Sequence, residues 1–172
     1  MFGKSLTNGL NPLAGVWARE ELIGPEVFPP GSTHSTFASN PLGTAAGLET
    51  LKLLAEDDYA LMTMQKGAYF MSGLRELARQ FPEMGDVDGL GLAMRIEICE
   101  RDGFTPNKAL TDRLVIEGLK GDLVIDGKRH GRVLDVGGYY KNVLTLAPPL
   151  TISYAESDQA MELLGQLFAR CV

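Results

Sequence analysis

The sequence predicts an α/β protein in two unequal parts: a C-terminal part able to form its own core and an N-terminal part that reads as a piece of something larger. Three observations predict it. Residues 1–40 are rich in Gly, Pro, Ser, Thr and Asn, with only short apolar pieces between them. Apolar residues recur at helical spacing from Asn40 to Phe81. From Glu83 to the end, strand-like and helix-like patterns alternate.

Taken in order, residues 1–40 read as loops around a strand or two, with Ala14 to Ala18 the clearest apolar piece, and such segments need other chain to cover them. Asn40 then suits a helix cap and Pro41 its first turn. Leu42, Ala45, Ala46, Leu48, Leu51 and Ala55 follow at helical spacing, so a helix is predicted to about Ala55. After the acidic break Glu56-Asp57-Asp58, residues Gly67, Phe70, Leu74, Leu77 and Phe81 recur at steps of three and four, one apolar stripe on a second long helix that Pro82 ends. This helix is expected to bridge to a second domain, which divides the chain into residues 1–82 and 83–172.

In the second part, Asp86 and Asp88 stand in a Gly-rich stretch expected to be a solvated turn. Gly89-Leu90-Gly91 lacks the third glycine and the following helix of a nucleotide-binding loop and reads as a tight turn. From Leu92 to Cys99, the apolar Met94, Ile96 and Ile98 alternate with Arg95, Glu97 and Cys99, as in a half-buried strand. Thr105-Pro106 is expected to open a helix running to about Gly118. Leu123 to Ile125, Val133 to Val136 and Val143 to Ala147 are short strand candidates, and Pro148-Pro149 ends the last. Ser153-Tyr154-Ala155-Glu156 has the spacing of a capping box, with Met161, Leu164 and Phe168 following at helical spacing. The chain therefore closes with a helix docked on a sheet.

Composition narrows the function. No apolar run approaches the roughly 20 residues that cross a bilayer. The net charge of −6 is spread without a basic stripe, which argues against binding a phosphate backbone. Cys99 and Cys171 are far apart and unaccompanied by a second Cys at zinc spacing, so no metal site or disulfide framework is expected and a reducing cytoplasm is the natural compartment. His34 and His130 lack partners at metal-ligand spacing. The first residues have none of the character of a signal peptide.

One residue carries a chemical suggestion. Lys4 follows an apolar residue and a glycine and precedes the flexible run Ser5-Leu6-Thr7-Asn8-Gly9, a setting suited to a lysine that forms a Schiff base with a covalently held cofactor. Gly3 to Gly9 with Pro12 to Gly15, His34-Ser35-Thr36-Phe37-Ala38-Ser39-Asn40-Pro41-Leu42, Gly89 to Glu97, and Asn142-Val143-Leu144 with Pro148 to Ile152 stand in the same order as motifs of a known family. In them the chain resembles the class III, fold-type-I pyridoxal-phosphate-dependent aminotransferases, over essentially all its length but only over that family's C-terminal portion. Its wording is nearest to the diaminobutyrate and related ω-amino acid enzymes.

The resemblance implies the last part of a large cofactor domain, a long connecting helix and a small α/β domain with a mainly antiparallel sheet. It implies pyridoxal 5'-phosphate as cofactor, with Lys4 as the catalytic and cofactor-binding amine. It also implies that Thr36, assisted by the backbone around Ser35, contacts the cofactor phosphate of the neighbouring subunit in a dimer. The reaction implied is transfer of an amino group from an amino donor to a 2-oxo acid.

Two departures qualify it. Many members handling α-amino acids carry an arginine in the strand before the paired prolines, where a guanidinium grips the substrate carboxylate; here that position is Thr145. The family's phosphate-cradling loop, the aromatic residue on the cofactor ring and the aspartate at the ring nitrogen lie upstream of the lysine, so weak cofactor binding and little turnover are expected of these residues alone. Two other readings stand beside this one: a non-catalytic dimerisation or assembly module, or a complement to a separate N-terminal half, and a racemase or mutase of the same family.

Overall fold

In the computed structural model, residues 2–32 and 34–172 are described. They form two compact units, Met1–Asp58 and Tyr59–Val172.

The first unit is mostly irregular. Phe2 and Gly15 form an antiparallel bridge in place of the expected strand, each amide donating to the other's carbonyl at 2.9 Å. Between them lies a 3-10 helical turn, Lys4–Thr7. A short helix α1 (Glu20–Ile23) and helix α2 (Pro41–Glu56) follow. Asn40 caps α2 as its sequence suggested, its side-chain oxygen accepting from the Leu42 amide at 2.9 Å. What α2 buries is its small-residue face. Gly43 and Gly47 are covered, and a Cβ on Gly47 would lie 2.7 Å from Leu13 Cδ2 and 3.7 Å from Leu6 Cγ. Leu42, Leu48 and Leu51, the expected apolar stripe, are exposed, as are Leu53 and Leu54. Trp17 is 88% exposed.

The second unit holds every buried large apolar side chain of the described residues. It comprises α3 (Tyr59–Gln80), β1 (Met84–Leu90), β2 (Ala93–Ile98), α4 (Lys108–Leu119), β3 (Leu123–Ile125), β4 (Lys128–His130), β5 (Asp135–Gly137), β6 (Val143–Leu146) and α5 (Tyr154–Cys171). The long helix α3 belongs to this unit because its stripe of Gly67, Phe70, Met71 and Leu74 is buried in the same core as the sheet. Four strands pair antiparallel in the order β1-β2-β6-β5, and β3-β4 form a separate hairpin. Ile96 and Ile98 of β2 and Leu144 of β6 point to one face, meeting Phe70 and Leu74 of α3, Leu110 and Leu114 of α4, and Leu164, Leu167 and Phe168 of α5 in one cluster. The opposite face carries Arg95 and Thr145, which stand directly across from one another.

Several sequence expectations change here. The stretch around Asp86 and Asp88 is not a turn but an edge strand, β1, whose register with β2 shifts between Met84 and Asp86; its turn-forming composition hid it. Helix α4 is capped by Asn107, which accepts from the Leu110 amide at 2.8 Å, and not by Thr105. Thr105 instead closes a turn on Asp102, whose carboxylate takes the Phe104 and Thr105 amides at 2.9 Å. The Val133 to Val136 candidate forms later than expected, as β5, and β4 was not anticipated. The capping box at Ser153 forms as expected: Glu156 N–H donates to Ser153 Oγ at 3.2 Å and Ser153 N–H donates to Glu156 Oε2 at 2.8 Å.

Candidate active site

The segment around Lys4 is fixed at both sides. Before it, the Phe2–Gly15 bridge sets the chain direction, and the Phe2 ring lies over Gly15 so closely that a Cβ there would be 2.7 Å away. After it, the Leu6 amide donates to the Gly3 carbonyl at 3.1 Å and the Asn8 amide to Ser5 at 2.9 Å. The buried Thr7 closes the loop, its hydroxyl donating to the Asn11 carbonyl. Lys4 itself has φ of 53°, the left-handed region that side-chain-bearing residues seldom occupy. Backbone of this kind is costly and tends to occur where function requires it. Its side chain is exposed, and its amine has no hydrogen bond or ion pair among the described residues.

Ser35 and Thr36 stand in the same unit, at the turn over 36–39 that leads into α2, tied by the Ala38 amide donating to the Ser35 carbonyl at 3.0 Å. Both are exposed, and both hydroxyls are without partners among the described residues. No hydrogen bond joins Lys4 to either of them. A free primary amine and free hydroxyls suit an aldehyde-bearing phosphate ester: the amine can condense with the aldehyde and the hydroxyls can donate to the phosphate.

In the second unit, Arg95 is ringed by acids. It donates to Asp86 Oδ2 at 2.7 Å, with Asp88 at 3.7 Å and Glu97 at 3.8 Å. Thr145 lies opposite it on the open face of the sheet. Sequence reasoning missed Arg132, whose Nε is buried without an acceptor. It ends the basic run Lys128-Arg129-His130-Gly131-Arg132, and only the fold separates it from its solvent-facing neighbours.

Comparison with known proteins bears on the whole chain. The Aminotransferase class-III family profile matches residues 1–168. The chain is 35% identical over 168 residues to 4-aminobutyrate aminotransferase GabT of Escherichia coli, an alignment covering 97% of this chain and 37% of that protein. It is 32% identical to 5-aminovalerate aminotransferase DavT of Pseudomonas putida, over 98% of this chain and 37% of that protein. Among solved structures, an amine transaminase from an uncultivated Pseudomonas species in its PLP-bound form superposes with a TM-score of 0.79 at 23% identity, over 99% of this chain and 38% of that one. That likeness concerns the fold. The chain thus spans about 37% of the length of the curated relatives it matches.

Proposed function

The chain belongs to the class III aminotransferase family, and from that premise we propose that it supplies the C-terminal part of a pyridoxal-phosphate-dependent transaminase. The observation that supports this best is Lys4: an accessible, unpartnered amine held at a left-handed φ inside the segment the family profile covers. In this reading the complete enzyme moves an amino group from an amino donor to a 2-oxo acid. Residues 1–82 belong to its cofactor domain and connecting helix, and residues 83–172 form its small domain.

The cofactor, when bound, supplies an electron-withdrawing ring that stabilises the carbanion left by loss of the substrate proton. Lys4 would hold it through Nζ, and the same Nζ, when free, would carry a proton between the substrate carbon and the cofactor. Thr36 and the backbone at Ser35 donate to the phosphate across a homodimer, so each site draws on two chains. The family's remaining cofactor contacts fall in the part of the relatives these residues do not span, so these residues alone bind the cofactor weakly and turn over little. The free, buried thiols Cys99 and Cys171 suit a reducing cytoplasm.

The test is to incubate the purified chain with pyridoxal phosphate, reduce with borohydride and map the labelled lysine by mass spectrometry. Labelling concentrated on Lys4 and lost in Lys4→Ala supports the proposal. Label distributed evenly over surface lysines, unchanged in Lys4→Ala, rejects it.

A further inference from the structure

A cavity of about 440 Å³ opens in the second unit between the end of β6, the approach to β5, and helices α3 and α5. Its size lies within the range of small-molecule sites. Phe70, Leu146 and Ile152 give it apolar walls, and Arg132 brings a charge.

Arg132 is held firmly. Its amide donates to the Gly118 carbonyl at 2.8 Å, and a Cβ on Gly118 would lie 2.5 Å from the Arg132 carbonyl oxygen, so the backbone here is pinned to the end of α4. From that anchor the side chain runs inward and its Nη1 donates to the Ala160 carbonyl at 3.1 Å, a carbonyl already used by the ladder of α5. Nε is buried with no acceptor, and no carboxylate pairs with the guanidinium among the described residues, although Asp135 also lines the cavity. A guanidinium offers five donors and stays charged at all ordinary pH values. Burial pushes the Arg132 pKa down.

We infer that this cavity binds the carboxylate of a small organic acid, with Arg132 donating to the carboxylate and the apolar walls holding a short carbon chain. One unpaired cation balances one negative charge, and Asp135 at the same cavity disfavours a second, so a monocarboxylate fits better than a phosphate. The site lies wholly in the second unit, contains neither Lys4 nor Thr36, and does not rest on the transaminase reading.

The experiment is a titration of the whole chain with butyrate, followed by two-dimensional proton–nitrogen NMR, with butyramide as the uncharged isostere and inorganic phosphate as the dianion. Butyrate is expected to give saturable shifts at the Arg132 side-chain Nε–H and at the Val133 and Ala160 amides. Butyramide should bind at least about tenfold more weakly, since it lacks the negative charge and the second acceptor oxygen of the carboxylate. In Arg132→Gln, butyrate should fall to the affinity of butyramide. Equal binding of butyrate and butyramide, phosphate binding as tightly as butyrate, or no saturable shift up to about 50 mM overturns the inference. Should Arg132→Gln fail to fold, the comparison of the three probes on the unsubstituted chain decides by itself.

Discussion

Gly67 of α3 meets Gly91 of the β1–β2 turn backbone to backbone: a Cβ on Gly67 would lie 2.2 Å from the Gly91 carbonyl oxygen. Gly91 has φ of 56°, so the turn itself also favours glycine. The helix therefore seats on the sheet through the absence of a side chain. Alanine at 67 would gain about 1 kcal/mol of helix propensity. Overpacking against backbone, which cannot rotate away, costs about 1–3 kcal/mol or more. Gly67→Ala is expected to destabilise the second unit by a net of about 1–2 kcal/mol, read as a lower urea midpoint at unchanged slope. An unchanged or raised midpoint would mean that the helix can shift away from the turn.

Leu164 is fully buried where α5 meets the core. Leu164→Ala removes three methyl or methylene equivalents and leaves a void, for a loss of about 2–5 kcal/mol in chemical denaturation. A loss below about 1 kcal/mol would show that the surrounding side chains collapse into the space.

The capping box makes the start of α5 sensitive to acid. Hydrogen bonds from the Ser153 backbone, then from its hydroxyl, hold the Glu156 carboxyl below the usual carboxylate range. The folded state thus binds this proton less readily than the unfolded state, so the contribution is complete above the ordinary carboxylate pKa and lost as pH falls through the lowered one. Ser153→Ala is expected to cost about 1 kcal/mol at neutral pH and to flatten the acid limb of the stability profile. A parallel displacement of the whole profile would show that Glu156 keeps its partners without the serine.

The β3 strand of the hairpin is tied to α5 by the Gln166 side chain. Gln166 accepts from the Val124 amide at 3.3 Å and donates to the Val124 carbonyl at 2.9 Å, imitating a neighbouring strand. Gln166→Ala is expected to speed hydrogen exchange at the Val124 amide severalfold and to cost about 1 kcal/mol. Protection equal to that of the unsubstituted chain would mean that packing of Leu123 and the His130–Gln159 contact hold the hairpin in place.

Where local chemistry and tertiary packing agree, the fold was legible. The three-and-four stripe from Gly67 to Phe81, the alternation of Met94, Ile96 and Ile98, and the Ser153–Glu156 pair with the apolar residues after it each announce an element because local signal and buried face coincide, whereas Asn40-Pro41 announces the start of α2 but not the face it buries. The misses share a physical cause. Strand β1 has the composition of a turn and is held by pairing with β2, and β4 exists because Asp126-Gly127, both at positive φ, close a hairpin with β3. The α4 start shifted to Asn107 because Asp102 had already satisfied the amides near Thr105. Of the site, Lys4, Ser35 and Thr36 were nameable from sequence motifs. The backbone strain at Lys4 and the buried Arg132 Nε without an acceptor were not, since both emerge only in the folded chain.

Because the buried large apolar side chains of the described residues all lie within Tyr59–Val172, the two units should report to different instruments. Trp17, the single tryptophan of the sequence, sits in the other unit with its ring exposed. Calorimetry, which registers heat from surface uncovered on unfolding, would follow mainly the C-terminal unit. Tryptophan emission would follow only the part that carries Lys4, so a clean melting curve says little about whether the lysine loop is in place, whereas quenching or a spectral shift of Trp17 reads that loop's own unit.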